Sequence, residues 1–280
     1  SLSDAIYDIS PTTTPFMSTI GKNKAKSTYN EWQTDSLAAV NPNNAQIEGA
    51  DAVAPVLTTT TRVGNYTQIS DKVVQVSTTD DAVDTAGRST ETAYQLSKAS
   101  AELKRDMETI LLSDQAPNAG ATDAPRKLGG LGAWVTTNQV DTAGGALTED
   151  MLKEAVLEAF TAGGEPSMLL VSPANKQVVS TFSGIAEQRY QAPKASATTI
   201  IGAADIYLSD FNTLSCVPDR FLSDEVSYVL DPSMFAVSYL RPFKQTKLAK
   251  TGDSDKYMLN VEYSLQSNQE AASAVMRDLT

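Results

Sequence analysis

The sequence predicts an α+β fold in which an extended N-terminal arm, a projecting β-hairpin and a long helix precede a compact α+β unit and a returning β-sheet. Three observations predict it. Pro11 and Pro15 each fix φ and push the preceding residue toward extended backbone, so no helix can cross the opening segment. Residues 90–112 carry an apolar stripe at helical spacing. Residues 257–266 alternate apolar and polar side chains, which is typical of a half-buried strand.

The composition narrows the class of protein. The chain has 280 residues, of which 41% are hydrophobic and 20% charged, which is ordinary for globular protein and enough for about two compact units. A net charge of −12 supplies no basic surface for phosphates and disfavours sequence-specific binding of nucleic acid. The apolar runs are far shorter than the roughly 20 residues of a membrane span, so we expect a soluble protein.

Much enzyme chemistry is excluded because the chain contains no histidine. Ser-His-Asp and Cys-His nucleophile systems and most zinc sites therefore cannot form. The single cysteine, Cys216, is interpreted as a small buried hydrophobe. One cysteine forms no intrachain disulfide, which favours a reducing compartment. We predict no cofactor, no metal site and no enzymatic activity.

The sequence contains two acidic clusters and one glycine-rich segment that could carry chemistry. Asp80, Asp81 and Asp84 form one cluster, and Glu149–Asp150 the other; either could supply an acid and a base. Both lie where a helix is predicted to begin, and negative charge there is favoured by the helix dipole. Gly129–Gly132 lacks the Lys-Ser/Thr of a phosphate-binding loop, so we interpret it as a tight turn.

The arm, residues 1–35, and the extended loop, residues 36–76, are predicted to contact other chains. Tyr29 and Trp32 have a spacing that predicts no amphipathic element, so we expect them to pack on a partner surface. Residues 38–55 follow no regular period. Val56–Ser77 is rich in β-forming residues and predicts two antiparallel strands joined by a turn at Gly64–Asn65. An isolated hairpin is marginal in water, which favours an external partner.

Helices and strands alternate in the rest of the chain. Within residues 77–147, a helix is predicted from Thr90 to Leu112, capped by Ser89 or Thr90, with a stripe of Leu96, Leu103, Met107, Ile110 and Leu111. In the unit of residues 148–237, Thr148 caps a helix ending at Ala162, Met168–Val171 predicts a strand covered on both faces, and Ser172–Pro173 begins another helix.

The final third is predicted to be mainly strands, and residues 238–280 to form the returning sheet. The predicted strands are Asp205–Phe211, Ser227–Leu230, Phe235–Leu240, Phe243–Leu248, Tyr257–Gln266 and one containing residues 274–276. In the longest of them Tyr257, Leu259, Val261, Tyr263 and Leu265 share one face, which we expect to be buried.

This element order and the opening residues resemble a known family. Residues 4–11 (DAIYDISP), 14–18 (TPFMS), 21–22 (GK) and 31–37 (EWQTDSL) are similar to the opening of SU10-type major head proteins. The order of elements resembles the HK97-like (Hong Kong 97) capsid fold of tailed bacteriophages. The resemblance implies a major capsid protein whose hexamers and pentamers form an icosahedral virion head around double-stranded DNA, assembled in the host cytoplasm with scaffold, portal and decoration proteins as further partners.

On that basis, contacts between subunits are predicted for residues of the arm and loop: Phe16, Lys22, Lys24, Lys26, Tyr29, Trp32, Arg62 and Tyr66. Some members of the fold cross-link covalently through a loop lysine, yet no lysine occurs from Ser27 through Asp71. We therefore predict a non-covalent shell, with Lys72 as the remaining candidate. We also predict that Trp32→Ala weakens assembly more than folding.

Two alternatives stay open on the sequence. A carboxylate-based glycosidase or carbohydrate-binding phage protein needs two carboxylates about 5–10 Å apart and aromatics for stacking on sugars. The 7% aromatic content, with only Trp32 and Trp134 as tryptophans, disfavours it. An encapsulin-like nanocompartment shares the predicted fold and differs in holding cargo protein instead of DNA.

Overall fold

A computed structural model describes residues 13–52, 57, 59–83, 90–141, 143–182 and 206–280. Predictions that rest on residues 4–11, 56, 84, 89 and 205 lie outside these described residues. The helices are α1 (Pro15–Thr19), α2 (Thr78–Ala82), α3 (Glu91–Leu112), α4 (Leu131–Trp134), α5 (Glu149–Thr161) and α6 (Pro173–Val179). The strands are β1 (Gly21–Lys24), β2 (Tyr29–Thr34), β3 (Thr61–Tyr66), β4 (Gln68–Ser77), β5 (Gln139–Asp141), β6 (Met168–Val171), β7 (Ile206–Leu208), β8 (Thr213–Pro218), β9 (Ser227–Leu230), β10 (Phe235–Lys247), β11 (Ser254–Ser267) and β12 (Ala274–Arg277).

A four-stranded sheet of order β1-β10-β11-β4 packs against the long helix α3. The Thr90 hydroxyl accepts a hydrogen bond from the backbone N–H of Ala93, and Leu103, Met107 and Leu111 are fully buried. The predicted helix and its Thr90 cap are therefore confirmed. Strand β1 runs parallel to β10, with Gly21 opposite Ala236, so the arm contributes an edge strand to a sheet otherwise built from distant sequence.

A second sheet of six strands has the order β5-β12-β9-β6-β8-β7. Strand β6 lies inside it and all four of its residues are buried, as its uniform apolarity predicts. Helix α5 begins after Thr148, whose side chain accepts from Met151 N–H, and α6 begins after Ser172 with Pro173 in its first turn. These predictions are confirmed, and Cys216 is buried in this core as expected.

The hairpin differs from its prediction. Strand β3 pairs with β2, not with β4, and Gly64 and Asn65 lie inside β3 opposite Glu31 and Asn30. The predicted turn at Gly64–Asn65 is therefore wrong. Glycine is needed there because the Tyr29 ring covers the position; a Cβ on Gly64 would lie 2.7 Å from its Cζ. Strand β4 instead pairs with β11, which buries Val74 and Val76 against α3.

The last third also departs from the prediction in two places. Phe235–Leu240 and Phe243–Leu248 were expected as separate strands, but β10 continues across Pro242, with register irregularities between Tyr239 and Lys244 that tolerate the proline. Strand β8 was not predicted; it runs parallel to β6.

The prediction that one face of β11 is buried is confirmed where the strand crosses the core, because Val261, Tyr263 and Leu265 are buried. Tyr257 and Leu259 are half-buried, since they lie toward the end of the sheet. On the opposite face Glu262 and Ser264 are buried as well, which the sequence pattern did not indicate.

Candidate assembly surfaces

The tip of the β2–β3 hairpin presents apolar side chains to solvent. Every described residue from 35 to 52 is exposed. Leu37, Val40 and Ile47 are 98%, 93% and 82% exposed, and Leu57 on the return is 87% exposed. Single exposed apolar residues are normal, but four large ones on one projecting loop favour burial against another molecule. We call the described residues of this loop, 35–52, 57, 59 and 60, the hairpin tip.

The base of the same hairpin is fixed to the body of the chain. Asn65 is fully buried; its Nδ2 donates to the carbonyl oxygens of Gly129 (3.0 Å) and Leu265 (2.8 Å), and its Oδ1 accepts from Gly129 N–H (2.7 Å). Trp32 packs on Trp134 with ring centroids 5.4 Å apart. The exposed tip is therefore carried by an anchored base.

Four of the predicted contact residues lie together on this hairpin. Tyr29, 37% exposed, packs on Tyr66 across the two strands with ring centroids 4.6 Å apart, and exposed Arg62 pairs with Glu31 at 3.8 Å. Trp32 is half-buried within β2. The expectation that Tyr29 and Trp32 belong to no regular element is wrong, since alternating β2 residues pack on β3 and on Trp134 of their own chain.

Phe16 and the three lysines lie elsewhere. Phe16 is fully buried in the core of its own chain, 6.3 Å from the Phe235 ring, so its prediction as a contact between subunits is wrong. Lys22 and Lys24 are exposed on the edge strand β1, and Lys26 follows it. Lysines on an edge strand oppose unspecific strand pairing, which explains them without a ligand.

A buried ion-pair cluster joins the hairpin base to the four-stranded sheet. Glu262 accepts from the Thr67 hydroxyl (2.8 Å), from Arg241 Nε (2.7 Å) and from Arg126 Nη2. Burial opposes the charged form of Glu262, but the hydrogen bonds of Thr67 and Arg241 and the two arginine charges outweigh it and hold its pKa below the usual value. The sequence placed Glu262 on a polar face and gave no sign of this cluster.

The lysine considered for cross-linking is already paired. Lys72 Nζ lies 2.7 Å from Asp106 on α3. The hydrogen bond that Lys72 donates to Asp106 is the main reason that the pKa of Lys72 is raised, so the amine is held as the ammonium ion. An ammonium ion has no lone pair with which to attack a side-chain amide.

The acidic residues considered for catalysis form hydrogen bonds and ion pairs at the ends of helices. Asp81 accepts from the backbone N–H and the hydroxyl of Thr92, which hold its pKa below the usual value. Glu149 accepts from the Tyr207 hydroxyl (3.3 Å) and pairs with Lys153 (3.2 Å) in the first turns of α5. In the described part of the chain, no group of three or more acidic or cysteine side chains could hold a metal ion.

The backbone amides of the glycine-rich segment form hydrogen bonds within the chain. The N–H groups of Gly129, Gly130 and Gly132 donate to Asn65 Oδ1, Gln115 O and Ser113 O. A Cβ on Gly130 would lie 2.1 Å from the Ser113 carbonyl oxygen. The interpretation as a tight turn is wrong, because Gly130 is the N-cap of helix α4 and Gly132 lies inside that helix. They permit close approach to the end of α3, and these amides are not available to a phosphate.

A sequence model of the SU10 major capsid protein family matches residues 1–280. The chain belongs to this family. The major capsid protein of Escherichia phage Phieco32 is 29% identical over 333 aligned residues, covering 99% of this chain and 93% of that protein. The protein is thus a structural capsid protein of a phage virion, and the glycosidase alternative is not favoured. None of the helices within the described ranges has the length and apolarity to cross a membrane.

Solved structures confirm the predicted HK97-like fold. The cyanophage A-1(L) capsid protein superposes with a TM-score of 0.69 at 14% identity, covering 100% of this chain and 96% of that one. A solved structure from Gordonia phage Cozz gives a TM-score of 0.65 at 13% identity, covering 99% of this chain and 90% of that one. The holo-SrpI encapsulin complex of Synechococcus elongatus PCC 7942 gives 0.61 at 16%, with 98% and 92% covered. The encapsulin likeness concerns the fold alone, whereas the family match separates this chain from a nanocompartment shell.

Proposed function

We propose that this capsid protein assembles non-covalently into hexamers and pentamers of an icosahedral head that encloses double-stranded DNA, and that the hairpin tip is buried on adjacent subunits. The observation that carries the proposal is the near-complete exposure of Leu37, Val40 and Ile47. Burying one such side chain stabilises a contact by about 1.5–3 kcal/mol. Three of them supply roughly 5–9 kcal/mol per subunit, and a closed shell repeats that gain at every subunit.

The hairpin and the arm supply the polar part of the proposed contact. Tyr29, Tyr66 and Arg62 lie along the hairpin and reach its surface, and Lys22, Lys24 and Lys26 follow the free edge of the arm. A lysine edge can meet acidic surface of a neighbouring chain, whose net charge is −12. Trp32 acts indirectly, by holding the hairpin against Trp134.

The net negative charge of the chain is compatible with a shell that encloses DNA. A net charge of −12 provides no broad basic surface that would grip phosphates, so the shell confines its contents without sequence-specific binding. Assembly in the host cytoplasm, with scaffold, portal and decoration proteins as partners, belongs to the same proposal.

The test compares two triple variants in the same loop. Leu37→Ser, Val40→Ser and Ile47→Ser together remove the apolar surface, while Ala38→Ser, Ala39→Ser and Ala45→Ser add the same hydroxyl groups without removing it. We expect both variants to keep the thermal unfolding midpoint of the unassembled protein. Electron microscopy and sedimentation should show shells for the alanine set and none for the apolar set. Normal shells from the apolar set would overturn the proposal.

A further inference from the structure

Two buried carboxyl groups meet where the arm, the long helix α3 and the segment after β8 come together. Glu108 on α3 and Asp219 after β8 are both fully buried and lie close enough to interact electrostatically. Glu108 Oε1 and Oε2 accept from the backbone N–H groups of Phe16 (2.7 Å) and Met17 (2.9 Å), in the first turn of α1. Glu108 is thus the group that fastens the arm to the long helix.

The hydrogen bonds indicate how the pair is protonated. Asp219 Oδ1 accepts from Phe221 N–H at 2.8 Å, whereas Asp219 Oδ2 is buried and finds no donor. A proton on Asp219 Oδ2 allows this oxygen to donate a hydrogen bond to Glu108. The two amides from α1 favour the charged form of Glu108, so one shared proton satisfies all four oxygens.

No cation compensates the pair. The neighbouring turn of α3 carries exposed Lys104 and half-buried Arg105, and exposed Arg220 follows Asp219. Arg105 lies over the Phe221 ring instead. Among the described residues, no ion pair includes Glu108 or Asp219. Helix α1 and strand β6, which also contact this site, carry no titratable side chain.

We propose that Glu108 and Asp219 form a one-proton latch that docks the arm helix α1 on α3 and that weakens as the pH rises, because opening releases the shared proton. With the proton in place, the pair carries one negative charge, balanced by the two α1 amides. Without it, two carboxylates face each other in a buried site, and their repulsion drives Asp219 away from Glu108 and the arm. The proton passes to solvent, and no other group changes.

The direction of the pH effect follows from burial. Burial raises the pKa of Glu108 to about 8, and it raises the pKa of Asp219 as well. A group whose pKa is raised in the folded state stabilises the fold fully below its unfolded pKa and loses that contribution as pH rises through the folded pKa. The latch is therefore tightest below about pH 4.5, and it weakens progressively as the pH rises to about 8.

Hydrogen exchange of the purified, unassembled chain tests this. The measured quantity is the protection of the Phe16 and Met17 amides from pH 6 to 9.5, corrected for intrinsic exchange. We expect protection to fall by about tenfold per pH unit from pH 6 to about pH 8 and to level off above it. The amides of Thr136 and Thr137, which donate to half-buried Glu270 at 3.0 and 3.2 Å, are the internal control and should hold their protection.

Two variants separate the latch from general alkaline loosening. Asp219→Asn offers a permanent N–H donor to Glu108, so protection of Phe16 and Met17 should stay flat across the range. Glu108→Gln removes the shared proton from the other side and should also give a flat profile, at lower absolute protection because its amide nitrogen cannot accept from α1. A wild-type profile without the fall, or an unchanged fall in both variants, overturns the latch.

Discussion

Asn65 is the residue whose loss should most directly loosen the hairpin base. Asn65→Ala removes three hydrogen bonds and leaves the N–H and C=O of Gly129 and the C=O of Leu265 without these partners in a buried site. At about 1 kcal/mol of net stability per bond, and more where a buried group stays unsatisfied, we expect a loss of roughly 2–4 kcal/mol.

The matched control is Asn30→Ala. Asn30 lies directly opposite Asn65 in the β2–β3 pair, is half-buried, and has an Nδ2 that makes no hydrogen bond. Its substitution should change the free energy of unfolding by less than about 0.5 kcal/mol, since no bond of that nitrogen is lost.

Urea unfolding of the unassembled chain, followed by tryptophan fluorescence, measures both variants. The two tryptophans, Trp32 and Trp134, stack across the junction that Asn65 fixes, so their emission reports on this region. Equal losses in the two variants, or a loss below about 0.5 kcal/mol for Asn65→Ala, would refute the assigned role of Asn65.

Three further outcomes are expected. Glu262→Gln leaves two partly exposed arginines without their carboxylate and should destabilise the chain by about 1.5–3 kcal/mol near neutral pH. Because the pKa of Glu262 is lowered on folding, the wild type should lose this advantage as pH falls below about 4.5, so thermal midpoints of variant and wild type should converge in acid; a constant gap would contradict the assignment. Gly130→Ala should lower the thermal midpoint strongly because its Cβ meets the Ser113 carbonyl oxygen at 2.1 Å, whereas Gly252→Ala, with nothing within 4 Å, should be tolerated; similar effects would count against the packing argument. Mature particles should run as one monomer band on a denaturing gel, because Lys72 is held by Asp106; a ladder of oligomers would disprove the non-covalent shell.

The sequence predicts those elements whose signals are local. Helix α3 carries its stripe and its Thr90 cap, and α5 and α6 carry theirs at Thr148 and Ser172. Strand β6 is recognisable because all its residues are apolar. In each case the deciding interactions lie within a few residues, so a pattern in the chain is enough.

Pairings between distant strands could not be predicted in the same way. Gly64–Asn65 carries a strong turn signal, but the Tyr29 ring over Gly64 and the Gly129 bonds of Asn65 come from elsewhere in the chain and decide its conformation. The buried role of Glu108 could have been predicted from its position in the sequence. It lies three residues before Leu111 and four before Leu112, on the buried face of α3, where a carboxylate predicts a buried partner.

The parallel pairing of β1 with β10 has a consequence for the order of synthesis. Gly21 leaves the ribosome early, but its partner Ala236 is made much later, after roughly 10–40 s at about 5–20 residues per second. Until then the arm has no sheet to join, and the lysines at its edge keep the unpaired strand from joining another. A nascent chain therefore cannot complete the body that carries the hairpin, and shell growth draws only on finished molecules.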